Sequence, residues 1–151
     1  MAEYYLGIWH DKPKPLELYK KKKGSYPNAM RQVPAQPNTF GAMKFNIRKM
    51  NELPHHLTKC GRFDEFVTHI CRNYDFLYYK CFATSIDTLL SDMRAAMIKL
   101  DGQEGETCAE QKQEIKLLYD ILVIRSDVIR KDPLQFPGQV CYLNFPRLNA
   151  S

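Results

Sequence analysis

Four residues of metal-binding type fall close together in the middle of the chain: His55, His56, Cys60 and His69. Placed on one helix, His56 and Cys60 stand four apart and share a face, and His69 could approach from the next helix. Three such ligands leave an open zinc position, with Glu52 or Glu65 as a base. That is the outline of a small metal-dependent enzyme around His56 and Cys60. Against it stands the ordinary fate of histidine and cysteine at helical spacing, which is to be packed or solvated. A Cys-His nucleophile pair suffers in the same way, since no signature surrounds the cysteine. The packed reading is preferred, so no catalytic, cofactor-binding or metal-ligating residue is assigned and no cofactor is implied.

Phosphate chemistry finds little support. A phosphate loop needs G-x-x-x-x-G-K-[ST], and none of the seven glycines offers it. Gly102-Gln103-Glu104-Gly105 has the G-x-x-G spacing of an RNA-clamping loop, but Asp101, Glu104 and Glu106 around it would repel a phosphate backbone. It reads as a turn between helices. The four consecutive lysines Lys20, Lys21, Lys22 and Lys23, with Lys12, Lys14, Tyr19 and Tyr26 nearby, suit a basic adaptor for nucleic acid or an acidic membrane. A solvated linker face is the commoner meaning of so short a run, so nucleic acid is not expected as a partner. Trp9, the single tryptophan, reads as an interface anchor rather than a ligand stack.

These residues need elements to hold them. A chain of 151 residues has room for one core, with or without a linker segment. Five cysteines without a C-x-x-C make neither a disulfide framework nor a zinc ribbon, and read as buried reduced thiols. The terminal Asn149-Ala150-Ser151 matches a glycosylation acceptor by chance. No apolar run is long enough to span a bilayer, and Met1 is not followed by a basic segment and an apolar stretch, so a cytoplasmic location is expected.

Charge separates the chain into two parts. Residues 1–50 hold ten Lys and Arg against three Asp and Glu, whereas the remainder is slightly acidic. Prolines crowd the first third as well, which predicts an irregular Pro/Lys-rich arm. Helical periods follow. Ile47, Met50, Leu53 and Leu57 make one stripe with Gly61 as its stop, and Pro54 predicts a kink or break within it. Phe63, Phe66, Val67, Ile70, Tyr74, Leu77, Tyr78 and Cys81 make a second, split near Asn73. Ile86, Leu89, Leu90, Met93, Met97 and Leu100 make a third, capped by Thr84 and closed at Asp101-Gly102. The longest helix, about Cys108 to Lys131 with Thr107 as cap, carries two apolar stripes. One is Ile115, Leu118, Leu122 and Ile129 with Arg125; the other runs through Leu117, Ile121, Ile124 and Val128. Two stripes imply two neighbours. Asp132-Pro133 opens a last short turn, interrupted at Pro137-Gly138. The fold class is mainly α, the arm leading into a helical bundle or a solenoid-like helical-hairpin fragment.

Several phrases then fall into a known order. Ala2-Glu3-Tyr4-Tyr5-Leu6-Gly7-Ile8-Trp9, Lys12-Pro13-Lys14-Pro15, Arg31-Gln32-Val33-Pro34-Ala35-Gln36-Pro37 and Asn46-Ile47-Arg48-Lys49-Met50-Asn51-Glu52-Leu53-Pro54-His55-His56-Leu57, followed by Gly61-Arg62, resemble the region between the NACHT ATPase module and the WD-repeat propeller in NACHT and WD repeat domain-containing proteins. The resemblance continues more loosely to Asp132-Pro133-Leu134-Gln135-Phe136-Pro137-Gly138-Gln139. It implies that residues 1–9 are the tail of a winged-helix-like element, 10–45 a basic proline-rich linker, 46–145 a helical subdomain and 146–151 a tail. The family's nucleotide-binding loop and propeller have no counterpart in these residues, so no catalytic residue carries over. What the resemblance implies is a noncatalytic linker and interaction module of a STAND-type signalling protein. It would relay state between ATPase and propeller by packing, with NACHT and WD-repeat domains as partners.

Overall fold

The computed structural model describes residues 1–10 and 34–140. They form seven α-helices: α1 (Ala2–Tyr5), α2 (Ile47–Lys59), α3 (Phe63–Phe66), α4 (Tyr74–Ala83), α5 (Ile86–Asp101), α6 (Glu106–Lys131) and α7 (Phe136–Val140). A π-helical turn, Val67–Cys71, continues α3, and a 3₁₀ turn, Pro133–Gln135, leads into α7. No β-strand occurs among the described residues, beyond an isolated bridge between Thr39 and Phe45. The mainly α class therefore holds. Most of the arm, residues 11–33, lies outside the described residues.

Proline in a helix interior removes one N–H and leaves the carbonyl four residues earlier without its partner. Pro54 predicts a kink or a break in α2 for that reason, and the break does not occur: α2 runs through it from Ile47 to Lys59. The orphaned carbonyl belongs to Met50, and Lys80 of α4 supplies the missing donor, its Nζ standing 2.6 Å from Met50 O. Lys80 is buried, 1% exposed, and its charge is met by Asp92 of α5 at 2.6 Å. Burial holds the Asp92 carboxyl above its ordinary range, against the opposing pull of Lys80. One side chain thus mends a backbone defect in α2 and joins three helices.

The second stripe divides at Asn73, as its pattern suggested. The chain leaves the π turn at Arg72, and the Asn73 side chain accepts from Phe76 N to start α4. Helix α5 starts one residue later than expected. Ser85, rather than Thr84, accepts from Thr88 N, because the Thr84 hydroxyl donates back to Lys80 O at the end of α4. Helix α6 begins earlier than expected, at Glu106 behind Gly105, so Thr107 is inside it and is not the cap. Gly105 has φ +140, a backbone conformation that only glycine adopts without strain. At the far end Asp132 caps the 3₁₀ turn through Leu134 N. Pro137 and Gly138 lie within α7 instead of interrupting it, since proline is tolerated in a first helical turn.

The core draws on every helix. Met50, Leu53, Leu57, Phe66, Ile70, Leu77, Ile86, Leu89, Met93, Ile115, Leu122 and Phe136 are all 1% exposed or less. Cys71 and Cys81 join it as buried thiols. Burial raises the pKa of both, Cys81 to about 12, so they stay protonated and behave as small apolar groups. Cys60 departs from the buried reading. It caps α2 beside Gly61, whose φ of +69 turns the chain outward, and it is exposed.

The N-terminal residues dock on α2. Tyr5 is buried and stacks on His56 with 6.3 Å between ring centroids. Gln36 ties the returning segment down. Its amide donates to Tyr4 Oη at 2.9 Å, its side-chain oxygen accepts from Asn46 Nδ2, and its backbone carbonyl accepts from Lys49 Nζ at 2.6 Å.

Two outcomes are expected from this packing. Lys80→Met leaves the Met50 carbonyl and Asp92 unpaired and should cost about 3–5 kcal/mol in urea unfolding. With Pro54→Ala present the helix regains its own N–H, so the same change should cost about 1–2 kcal/mol less. Strict additivity of the two changes would show that the carbonyl is not what couples them. The second outcome concerns Asp87, whose carboxyl Arg130 holds below the ordinary aspartate range through paired hydrogen bonds. A lowered folded pKa means that the link is present at neutral pH and is lost as pH falls through that value. An NMR titration should find Asp87 returning toward the ordinary range in Arg130→Gln. An unmoved titration would contradict the pairing.

Candidate interaction surface

Helix α6 lies antiparallel to α5 and makes its most extensive contact with it. Side chains with a three-and-four spacing settle which face turns inward. Ile115, Leu118, Leu122 and Ile129 are buried, as that stripe predicts. Arg125, counted with them in sequence, is exposed. The rotation of α6 is fixed at several points along its length. Lys112 pairs with Asp101, Glu114 with Arg72 at 2.6 Å, and Arg130 with Asp87 at 2.7 Å. Midway, the Arg94 guanidinium lies over the Tyr119 ring and donates to its hydroxyl at 2.6 Å.

That rotation leaves the other stripe outward. Leu117 is 64% exposed, Ile124 74% and Val128 42%, while Ile121 is half-buried. Val123, 41% exposed, extends the apolar area to one side. Sequence periodicity found the stripe but missed the residues that aim it. Arg72, Asp87 and Asp101 meet their partners from 42, 43 and 11 positions away, and no local pattern marks such pairs.

Other candidate residues are scattered. Trp9 is half-buried and donates from Nε1 to Glu3 Oε2 at 2.8 Å, so it braces the N-terminal residues from within. Lys20, Lys21, Lys22 and Lys23 lie outside the described residues. His56 is engaged by Tyr5 and by Glu52 at 3.2 Å. His69 sits half-buried in the π turn, its pKa lowered by burial. Cys60 is exposed at the end of α2. Among the described residues no group of three or more His, Cys, Asp or Glu is arranged to hold a metal ion. Gly102 and Gly105 bound the turn between α5 and α6, as expected. No described helix is long and apolar enough to cross a membrane.

Comparison with known proteins gives a consistent result. The chain is 27% identical over 152 residues to human NACHT domain- and WD repeat-containing protein 1, and 30% identical over 166 residues to mouse NACHT and WD repeat domain-containing protein 2. Each match covers 93% of this chain, which spans about a tenth of the relatives' length, 10% of the first and 9% of the second. No protein-family model matches the sequence, and no solved structure does. Over 93% of its length the chain is thus similar to one segment of the NACHT and WD repeat domain-containing proteins.

Proposed function

We propose that this chain acts as a noncatalytic helical linker and interaction module, passing conformational state between a nucleotide-binding module and a propeller by packing alone. The observation that carries the reading is the outward stripe of α6. Leucine, isoleucine and valine at this exposure on one helix leave an apolar area that a partner surface would cover favourably. Each apolar side chain so covered contributes about 1.5–3 kcal/mol at full burial. The curated relatives supply the context, since their names join a NACHT domain to WD repeats. In that setting the packed core and the ion pairs along α6 would carry a displacement of one face to the other as a rigid body. The partners are then the NACHT and WD-repeat modules, and the compartment is the cytoplasm. The metal-dependent reading gains nothing from the scattered placement of His56, Cys60 and His69.

Leu117→Asp and Ile124→Asp test this directly, because both residues are exposed and the substitutions leave the core intact. Binding of the whole chain to separately prepared NACHT and WD-repeat modules of mouse NACHT and WD repeat domain-containing protein 2 should weaken at least about tenfold, roughly 1.4 kcal/mol. Replacing Lys20 to Lys23 with alanine should leave that binding nearly unchanged. The opposite pattern, with the lysine change abolishing binding and the stripe changes silent, would make the chain a basic adaptor.

A further inference from the structure

A second surface lies at the C-terminal ends of α2 and α5. His55, Thr58 and Lys59 of α2 face Ala95, Ile98 and Lys99 of α5 over a groove of about 650 Å³, closed at one end by Gly102 and Gln103. Ile98 is 65% exposed there. Lys59 and Lys99 each occupy the last turn of their helices, where the dipole favours a cation. Yet neither has a hydrogen-bond or ion-pair partner among the described residues, whereas Lys112 and Lys116 on the neighbouring helix are held by Asp101 and Asp120. The carbonyls at the end of α2 are already used by Cys60, Gly61 and Arg62 N–H groups. Helix dipoles account for the two cations. They do not account for an apolar side chain standing open between them.

We propose that this groove docks an acidic peptide segment carrying one apolar anchor. The anchor side chain lies on Ala95 and Ile98, and carboxylates beside it pair with Lys59 and Lys99. Charge complementarity picks this occupant over the alternatives. A nucleic acid would be held by a longer run of cations and by several aromatic rings for stacking, and the groove offers two lysines and the single imidazole of His55. A membrane surface gains only about 1 kcal/mol from each lysine, too little from two for stable binding. A peptide uses both the apolar floor and the charged rims at once.

The probe is a short fluorescein-labelled peptide with a central leucine and a glutamate on each side, followed by anisotropy against the whole chain. Binding is expected, weakening at least about tenfold for Lys59→Glu with Lys99→Glu and to a similar degree for Ile98→Asp. A peptide with lysine in place of glutamate should not bind, and Leu117→Asp on α6 should bind like the parent. All three groove positions are surface side chains, and circular dichroism of each variant verifies its fold. No binding, or binding indifferent to Ile98→Asp, would overturn the proposal. So would single-stranded RNA or anionic phosphatidylserine vesicles binding with the same dependence on Lys59 and Lys99.

Discussion

The buried ammonium of Lys80 is the interaction on which the rest of this fold turns. A cation taken out of water is costly unless each of its donors has a partner, and here a proline elsewhere in the chain provides one of them. Pro54 makes the Met50 carbonyl available, and Asp92 makes the charge tolerable. Each of the three residues would be a fault by itself: a proline in a helix, a lysine in a core and a half-covered aspartate. Together they lock α2, α4 and α5 into one arrangement, because an apolar side chain at position 80 could not reproduce the geometry. The core around them is otherwise mostly leucine, isoleucine, methionine and phenylalanine, which pack well but specify direction weakly.

The long hairpin of α5 and α6 depends on that arrangement. Ion pairs at both ends and a cation-π contact in the middle hold α6 in one rotation. Exposed pairs of this kind contribute little to stability one at a time. Their effect is directional: they decide which of two apolar stripes faces the core, and the proposed function follows from the stripe left over.

The helices were largely legible in the sequence, and for a clear reason. Three-and-four spacing reports burial directly, and the stripes from Met50, Phe63, Ile86 and Ile115 all supply core residues. The split at Asn73 was legible too, because an asparagine that caps a helix marks a local event. What the sequence hid were the long-range polar links. Pro54 reads as a kink or a break because nothing near it suggests that Lys80, 26 positions on, would repair the helix. Thr84 and Thr107 looked like caps because the choice between neighbouring hydroxyls and glycines rests on what the preceding element needs. The groove between Lys59 and Lys99 could not be read at all, since its two sides belong to helices brought together only by the fold.

The tie made by Gln36 bears on how such a segment can change over time. Tyr4 on one side of residues 11–33 and Gln36 on the other are bonded to each other and rest on the same helix. Two points of a chain fixed at one spot tolerate a change in the number of residues between them, since doubling the length between fixed ends costs only about 0.6 kcal/mol for a flexible chain. Insertions and deletions should therefore accumulate between those anchors while the helical half keeps its length. Change in the length of chain between Tyr4 and Gln36 is thus free to proceed without disturbing the handhold at Gln36.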